Sequence, residues 1–132
     1  MPVNTPTTTT LCNGYEMPYL GVGTWQLSDT EVSTAVCTAI QCGYRHVDCA
    51  SLYGNEAGVG EGVRLSGVSR DQIFLTSKLW TTKMHPDDVE TACRKTLADL
   101  GTDYLDLYLI HGPMAFHRGA EPFPLKEDGS LK

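Results

Sequence analysis

The sequence predicts an α/β protein that forms the N-terminal half of a (β/α)8, or TIM, barrel. Short apolar segments alternate with amphipathic helical segments, which is typical of parallel strands with helices packed outside them. The repeat length agrees: a barrel uses about 31 residues per unit, so residues 20–132 correspond to three units and a fourth strand. A doubly wound open sheet also fits the alternation. Polar residues end three different strands, however, and this favours the barrel.

The chain is expected to begin with a β-hairpin between Thr8 and Pro18. Asn13-Gly14 is the favoured two-residue hairpin turn because both residues tolerate positive φ. A short strand, Leu20–Trp25, follows the hairpin and ends in a loop that contains glycine.

The first helix has a clear beginning and end. Ser28 and Glu31 form a capping-box pattern, and Gly43 is placed to end the helix in a left-handed conformation. Between them, apolar residues recur at the spacing of one buried helical face: Val32, Ala35, Val36, Ala39 and Ile40. The strand Arg45–Cys49 follows.

Two more helix–strand pairs complete the pattern. Residues Glu56–Ser66 are expected to be helical, although each of three glycines costs roughly 1 kcal/mol relative to alanine. The strand Gln72–Ser77 comes next. Pro86 opens the third helix at its first position, Gly101 ends it, and Tyr104–Ile110 forms the last strand.

From Met114 onward, prolines and glycines predict a long loop, and such loops tend to be functional or disordered. We treat residues 1–132 as one domain.

Part of a barrel leaves two strands with open edges, one around Val22 and one at Leu107–Ile110. The second is apolar, so self-association through it is expected.

Composition excludes several classes of partner. Ten basic and sixteen acidic residues give a net charge of −6, which argues against a nucleic-acid groove or an anionic membrane surface. No apolar run approaches the ~20 residues that span a bilayer, and a signal-peptide pattern is absent. The five cysteines show no Cys-x-x-Cys pair and are expected to be buried free thiols. We therefore expect a cytoplasmic protein. The histidines show no zinc spacing, so no metal is expected.

Four polar residues follow or end successive strands: Asp48, Tyr53, Lys78 and His111. A phenol has a pKa of about 10, but a nearby ammonium stabilises the phenolate, and a carboxylate would keep that ammonium charged. An imidazole could donate a hydrogen bond to the same oxygen. The set suits carbonyl reduction, in which a proton must reach oxygen. It supplies no hydride, so a nicotinamide cofactor is required. Each residue alone is more typical of a surface charge, a packed aromatic ring or a structural histidine.

These residues lie in motifs that resemble a known family. The segment GYRHVDCASLYGNEAGVG, residues 43–60, resembles the first signature of the aldo-keto reductases. The resemblance extends to the hairpin, Gly23-Thr24-Trp25, Ser77-Lys78-Leu79-Trp80 and residues 107–113. It implies a (β/α)8 barrel closed at its bottom by the hairpin, and NADPH-dependent reduction of aldehydes and ketones.

The resemblance also implies roles for single residues. The four catalytic positions, with the phenol as proton donor, correspond to Asp48, Tyr53, Lys78 and His111. The nicotinamide end of NADPH would lie against Gly23, Thr24 and Asp48. Substrate-pocket positions correspond to Trp25, Leu52, Trp80, His111 and Phe123, and ordinary packing at the barrel mouth is the alternative for the apolar ones.

Three functions remain open at this point. In the first, the chain is the N-terminal half of a reductase of small carbonyl compounds. In the second, it belongs to a barrel protein that binds without turnover. In the third, it is a truncated protein that associates with a partner. Relatives hold most of NADPH with later strands and loops. We therefore expect the isolated chain to bind NADPH weakly and to fold poorly or self-associate.

Overall fold

The structure is a computed structural model that describes residues 7–131. An antiparallel hairpin precedes a four-stranded parallel sheet in the order β3-β4-β5-β6. The strands are β1 (Thr8–Thr10), β2 (Glu16–Pro18), β3 (Val22–Gly23), β4 (His46–Asp48), β5 (Phe74–Leu79) and β6 (Leu107–Ile110). The helices are α1 (Asp29–Gln41), α2 (Glu56–Leu65) and α3 (Pro86–Leu100). One helix connects each pair of neighbouring parallel strands, so the predicted alternation and partial barrel are confirmed.

The hairpin turn differs from the prediction. The amide of Gly14 donates to the Leu11 carbonyl at 2.9 Å, and the Leu11 amide donates to the Tyr15 carbonyl at 2.8 Å. Gly14 takes a positive φ of 86° and Asn13 does not. The predicted two-residue Asn13-Gly14 turn is therefore wrong. The chain uses a longer loop in which glycine alone occupies the left-handed position, a common alternative in hairpins.

Strand boundaries also shift. β3 is only the centre of the predicted Leu20–Trp25 strand, and β5 runs to Leu79, so Lys78 lies inside the strand rather than after it. β6 begins three residues later than expected. The reason is Asp106, whose carboxylate accepts a hydrogen bond from the Leu75 amide at 2.8 Å, where a strand would use a carbonyl oxygen.

Helix α1 follows its sequence pattern. Ser28 and Glu31 make both hydrogen bonds of the capping box, and Gly43 follows the helix at φ 103°. Three residues of the predicted stripe are 0–1% exposed: Val32, Val36 and Ile40. The two alanines of the stripe are half-buried and line a groove beside β3.

The three glycines of helix α2 lie where its backbone closely approaches α1 and α3. A β-carbon at Gly58 or Gly62 would lie 2.4 or 2.6 Å from a backbone carbonyl oxygen of α1. A β-carbon at Gly60 would lie 2.1 Å from the carbonyl oxygen of Leu100, at the end of α3. Glycine weakens the helix itself but lets three backbones approach closely, because no side chain separates them. The helix predicted over this segment is confirmed.

The hydrophobic core lies between the sheet and the helices. Its buried members are Val32, Val36, Ile40, Val47, Cys49, Val59, Val63, Ile73, Leu75 and Leu100. All five cysteines are free, but only Cys49 is buried, so the prediction of buried thiols is wrong for the other four. These occupy helix surfaces and the hairpin loop. Within residues 7–131, no helix combines the length and apolarity needed to cross a membrane.

Replacing Gly60 with alanine tests the close helix contact. In an unobstructed helix this change stabilises by about 1 kcal/mol. Here the new methyl group would collide with the Leu100 carbonyl, so we expect destabilisation of about 1–3 kcal/mol, measured by urea denaturation. Gly119→Ala is the control, since nothing lies within 4 Å of a β-carbon there. A stabilised Gly60→Ala variant would contradict the contact.

Candidate active site

Four polar side chains meet at the carboxyl edge of the parallel sheet. Asp48 is the last residue of β4, Lys78 lies near the end of β5, and His111 directly follows β6. Tyr53 ends a 3₁₀ turn, Ser51–Tyr53, between β4 and α2. Because the three strands are parallel and neighbouring, their carboxyl ends lie side by side, which is where barrel enzymes place their active sites.

The Lys78 ammonium is the centre of this group. It lies 2.9 Å from the Asp48 carboxylate and 2.8 Å from the Cys49 carbonyl oxygen. Its third hydrogen bond goes to the Tyr53 hydroxyl at 3.4 Å. The Lys78 side chain is 13% exposed, so its charge is largely removed from bulk water and depends on these partners.

Tyr53 is held by aromatic neighbours on two sides. Its ring lies 4.7 Å from the Trp25 ring and 5.4 Å, edge to face, from the His111 ring. Gly54 follows in a left-handed conformation, φ 68°, which turns the chain into α2. The phenol is thus fixed between the ammonium and the imidazole.

The surroundings of His111 favour the neutral form of its imidazole. Burial lowers its pKa from the usual 6.5, the Lys78 charge lowers it further, and Asp48 opposes the shift in part. Its Nδ1 atom is buried and makes no hydrogen bond within the described residues. A buried polar atom without a partner is costly, and Nδ1 is closed off from the surface.

The residues predicted to hold the nicotinamide lie beside this group. Gly23 pairs with Asp48 in the sheet register, and a β-carbon at Gly23 would have nothing within 4 Å. The backbone is therefore open to a flat ring. Thr24 is 1% exposed, and its amide and hydroxyl both donate to the Asp48 carbonyl oxygen, at 3.2 and 3.3 Å. Its hydroxyl therefore fixes the end of β4 rather than pointing freely outward.

Aromatic side chains continue the site beyond His111. The Trp80 ring lies 5.2 Å from His111 and 5.3 Å from Phe123. Its indole N–H donates to the Pro122 carbonyl oxygen at 2.7 Å, which docks the loop after β6. The Phe116 ring lies 5.9 Å from the Trp80 ring. Phe116 was not predicted, because its loop has no periodicity and the resemblance pointed only to Phe123 there.

Leu52, also predicted to contact substrate, lines a different space. It borders a cavity of about 460 Å³ together with Trp80 and residues of α3 such as Lys95 and Thr96. Its contact with a substrate stays a prediction.

Three polar residues of the same turn were not predicted as site residues: Ser51, Asn55 and Glu56. Asn55 is 2% and Glu56 is 4% exposed. The sequence signal for Asn55 and Glu56 was a polar pair directly after Tyr53-Gly54, which is equally typical of an ordinary helix start; Ser51 gave no signal.

Comparisons with known proteins agree with this geometry. The model of the Aldo/keto reductase family matches residues 19–121. Aldo-keto reductase family 1 member A1 of Rattus norvegicus is 53% identical over 127 residues, which cover 92% of this chain and 39% of that protein. Member A1-A of Danio rerio is 55% identical over 130 residues, covering 95% and 40%.

Solved structures give the same result. The aldose reductase of Schistosoma japonicum superposes with a TM-score of 0.89 at 42% identity, covering 95% of this chain and 44% of that one. An aldo/keto reductase of Brucella melitensis has a TM-score of 0.79 at 48% identity, covering 81% and 41%. The chain spans about two fifths of the length of the relatives that it matches.

The electrostatics of His111 can be tested by an NMR titration of its imidazole. We expect a pKa below 6.5. Lys78→Met should raise that pKa because a neighbouring positive charge disfavours protonation, and Asp48→Asn should lower it. Lys83→Met is the control and should leave the pKa unchanged. A wild-type value at or above 6.5 would contradict the burial of this ring.

Proposed function

Because the chain belongs to the aldo/keto reductase family, we propose that it forms the proton-donating part of an enzyme that reduces aldehydes and ketones to alcohols with NADPH. The supporting observation is the Lys78 ammonium, which lies within hydrogen-bond distance of both the Asp48 carboxylate and the Tyr53 hydroxyl. In such an enzyme, the later strands and loops of the barrel would supply the remaining contacts to NADPH.

In this proposal Tyr53 gives its proton to the substrate oxygen. The negative charge left on the phenolate oxygen is stabilised by the adjacent Lys78 ammonium. Asp48 keeps the ammonium charged and oriented. Neutral His111 positions the carbonyl by a hydrogen bond to its oxygen. When bound, NADPH supplies the hydride that reaches the carbonyl carbon.

Gly23, Thr24 and Asp48 would hold the nicotinamide end of NADPH. The open backbone at Gly23 supports this placement, because a planar ring can approach there without meeting a side chain. Trp25, Leu52, Trp80, His111 and Phe123 would surround a small carbonyl substrate. The cytoplasmic location predicted from the sequence remains part of the proposal.

A complete barrel provides the test of catalysis. It can be made by joining this chain to the C-terminal remainder of the rat relative, and we refer to this protein as the chimera. In the chimera, Tyr53→Phe should reduce kcat for an aromatic aldehyde by about 10²–10⁴-fold, since the proton donor is lost. NADPH oxidation followed by absorbance is the measurement.

Two observations separate this outcome from a folding defect. NADPH affinity of Tyr53→Phe should stay within threefold of the parent, and Tyr15→Phe, on the exposed hairpin loop, should keep full activity. Undiminished turnover in Tyr53→Phe would refute the assigned role. A parent chimera that binds NADPH but reduces no carbonyl would favour a binding protein without turnover.

A second function, association with a partner, is favoured by the edge strand β6. Leu109 and Ile110 are 40% and 62% exposed, and within residues 7–131 β6 pairs only with β5. We propose that the 132-residue chain on its own self-associates through this edge, because an uncovered apolar strand is a template for pairing.

Size-exclusion chromatography with light scattering tests this proposal. The 132-residue chain should elute as oligomers and bind NADPH weakly. Ile110→Lys should shift the elution toward monomer. Leu65→Lys, which changes an apolar residue on α2 that is 51% exposed, should not. A monodisperse monomer with micromolar NADPH affinity would overturn the proposal.

A further inference from the structure

Glu56 is a buried carboxylate without a cationic partner. It is 4% exposed, and it forms no ion pair in the part of the chain that the structure describes. Its two oxygens accept hydrogen bonds from the Ser77 hydroxyl at 2.6 Å and from the Thr96 hydroxyl at 3.2 Å. Burial raises the pKa of this carboxyl. Burying an acid in this way is unfavourable. An apolar residue would be expected at position 56 unless the hydrogen bonds of the carboxylate contribute to the site.

The hydrogen bonds of Glu56 connect two segments of the active site. Residues 51–56, which we call the tyrosine turn, carry Tyr53. Ser77 immediately precedes Lys78 on β5. Successive strand residues point to opposite faces, so the ammonium reaches the site while the Ser77 hydroxyl reaches Glu56 behind the sheet.

The other end of the tyrosine turn is joined to the same place on β5. The Ser51 hydroxyl donates to the Lys78 carbonyl oxygen at 3.0 Å. The turn is therefore bonded at its first and last residues to two adjacent residues of β5, and Tyr53 lies between the two bonds. The bond at Glu56 is the shorter one and is shielded from water, which makes it the stronger of the two.

The opposite side of the turn is fixed as well. The Asn55 amide group donates to the carbonyl oxygens of Thr24 and Leu27, both at 2.8 Å. These bonds hold the loop after β3 against the turn. Movement of the turn is thus restrained from β5 on one side and from the β3 loop on the other.

We propose that Glu56 is a positioning residue that, through Ser77, holds the Tyr53 hydroxyl within reach of the Lys78 ammonium. This inference rests on the proposed function, since it assigns the purpose of the bond to proton donation. Glu56 does not touch the reacting atoms. The Lys78 Nζ atom lies 3.4 Å from the Tyr53 hydroxyl oxygen, which is near the limit of a hydrogen bond. A small displacement of the turn would therefore break this hydrogen bond.

The test compares Glu56→Ala, Glu56→Gln and Ser77→Ala in the chimera. Glu56→Ala should reduce kcat about 10- to 100-fold, as expected for a reactive group displaced by about 1 Å, with KM within threefold of the parent. Glu56→Gln keeps an oxygen that can accept from Ser77, so it should retain at least a third of the parent kcat. Ser77→Ala should also lower kcat, because it removes the same Ser77–Glu56 bond, although Glu56→Ala removes the Thr96 bond as well. The double variant should be no worse than Glu56→Ala, since the shared bond is already lost.

Glu61 supplies the matched control. It lies on the same helix, is exposed, and binds Arg64 at 2.8 Å, so Glu61→Ala should leave kcat unchanged. Two results would overturn the proposal: Glu56→Ala with unchanged kcat whatever its stability, or Glu56→Gln as impaired as Glu56→Ala. If Glu56→Ala does not fold, the smaller change Ser77→Ala takes its place, and an unchanged kcat in Ser77→Ala would overturn the proposal.

A second measurement separates this inference from the proposed function. Hydrogen exchange at the amides of Tyr53 and Gly54, which bond to Ala50 and Ser51 at 3.0 and 3.3 Å, should be about tenfold faster in Ser77→Ala. Amides of α1 should be unaffected. If the parent chimera is inactive, the proposed function fails, yet faster exchange would still support the restraint. Unchanged exchange would refute it.

Discussion

The rest of the site depends on the hydrogen bonds that the Lys78 ammonium donates. It brings together a carboxylate, a main-chain carbonyl and a phenol that come from different segments of the chain. A charge with so little exposure to water is stable only if its partners stay in place. The backbone around it is arranged accordingly: Thr24 fixes the end of β4, and the bonds of Ser51 and Glu56 fix the tyrosine turn against β5.

The helices contribute to the same arrangement from outside the sheet. Close backbone contacts at Gly58, Gly60 and Gly62 set α2 tightly between α1 and α3. Because α2 begins at Glu56, the last residue of the tyrosine turn, its position decides where that turn lies. The Thr96 hydroxyl adds a bond from α3 to the first residue of α2. Packing of the helix layer and geometry of the site are therefore linked through one helix terminus.

Much of the fold could be predicted from the sequence because its signals are local. The capping box at Ser28 and Glu31, the proline at the start of α3 and the alternation of patterns each depend on a few neighbouring residues. The prediction failed where distant residues decide. The Asp106 carboxylate replaces part of a strand. The helix over Glu56–Leu65 was predicted, but the reason for its glycines, which is contact with two other helices, could not be. The four polar residues of the candidate site were found from their positions after or at the ends of strands, and the remaining site residues through motif resemblance. The partners of Glu56, in contrast, lie 21 and 40 positions away along the chain.

The anchoring of the loop after β6 has an evolutionary consequence. Trp80 holds this loop through the main-chain oxygen of Pro122, and a main-chain acceptor is present whatever amino acid stands there. The loop can therefore accumulate mutations without losing its attachment. Sequence change at the barrel mouth is in this way uncoupled from inheritance of the polar cluster around Lys78 beneath it.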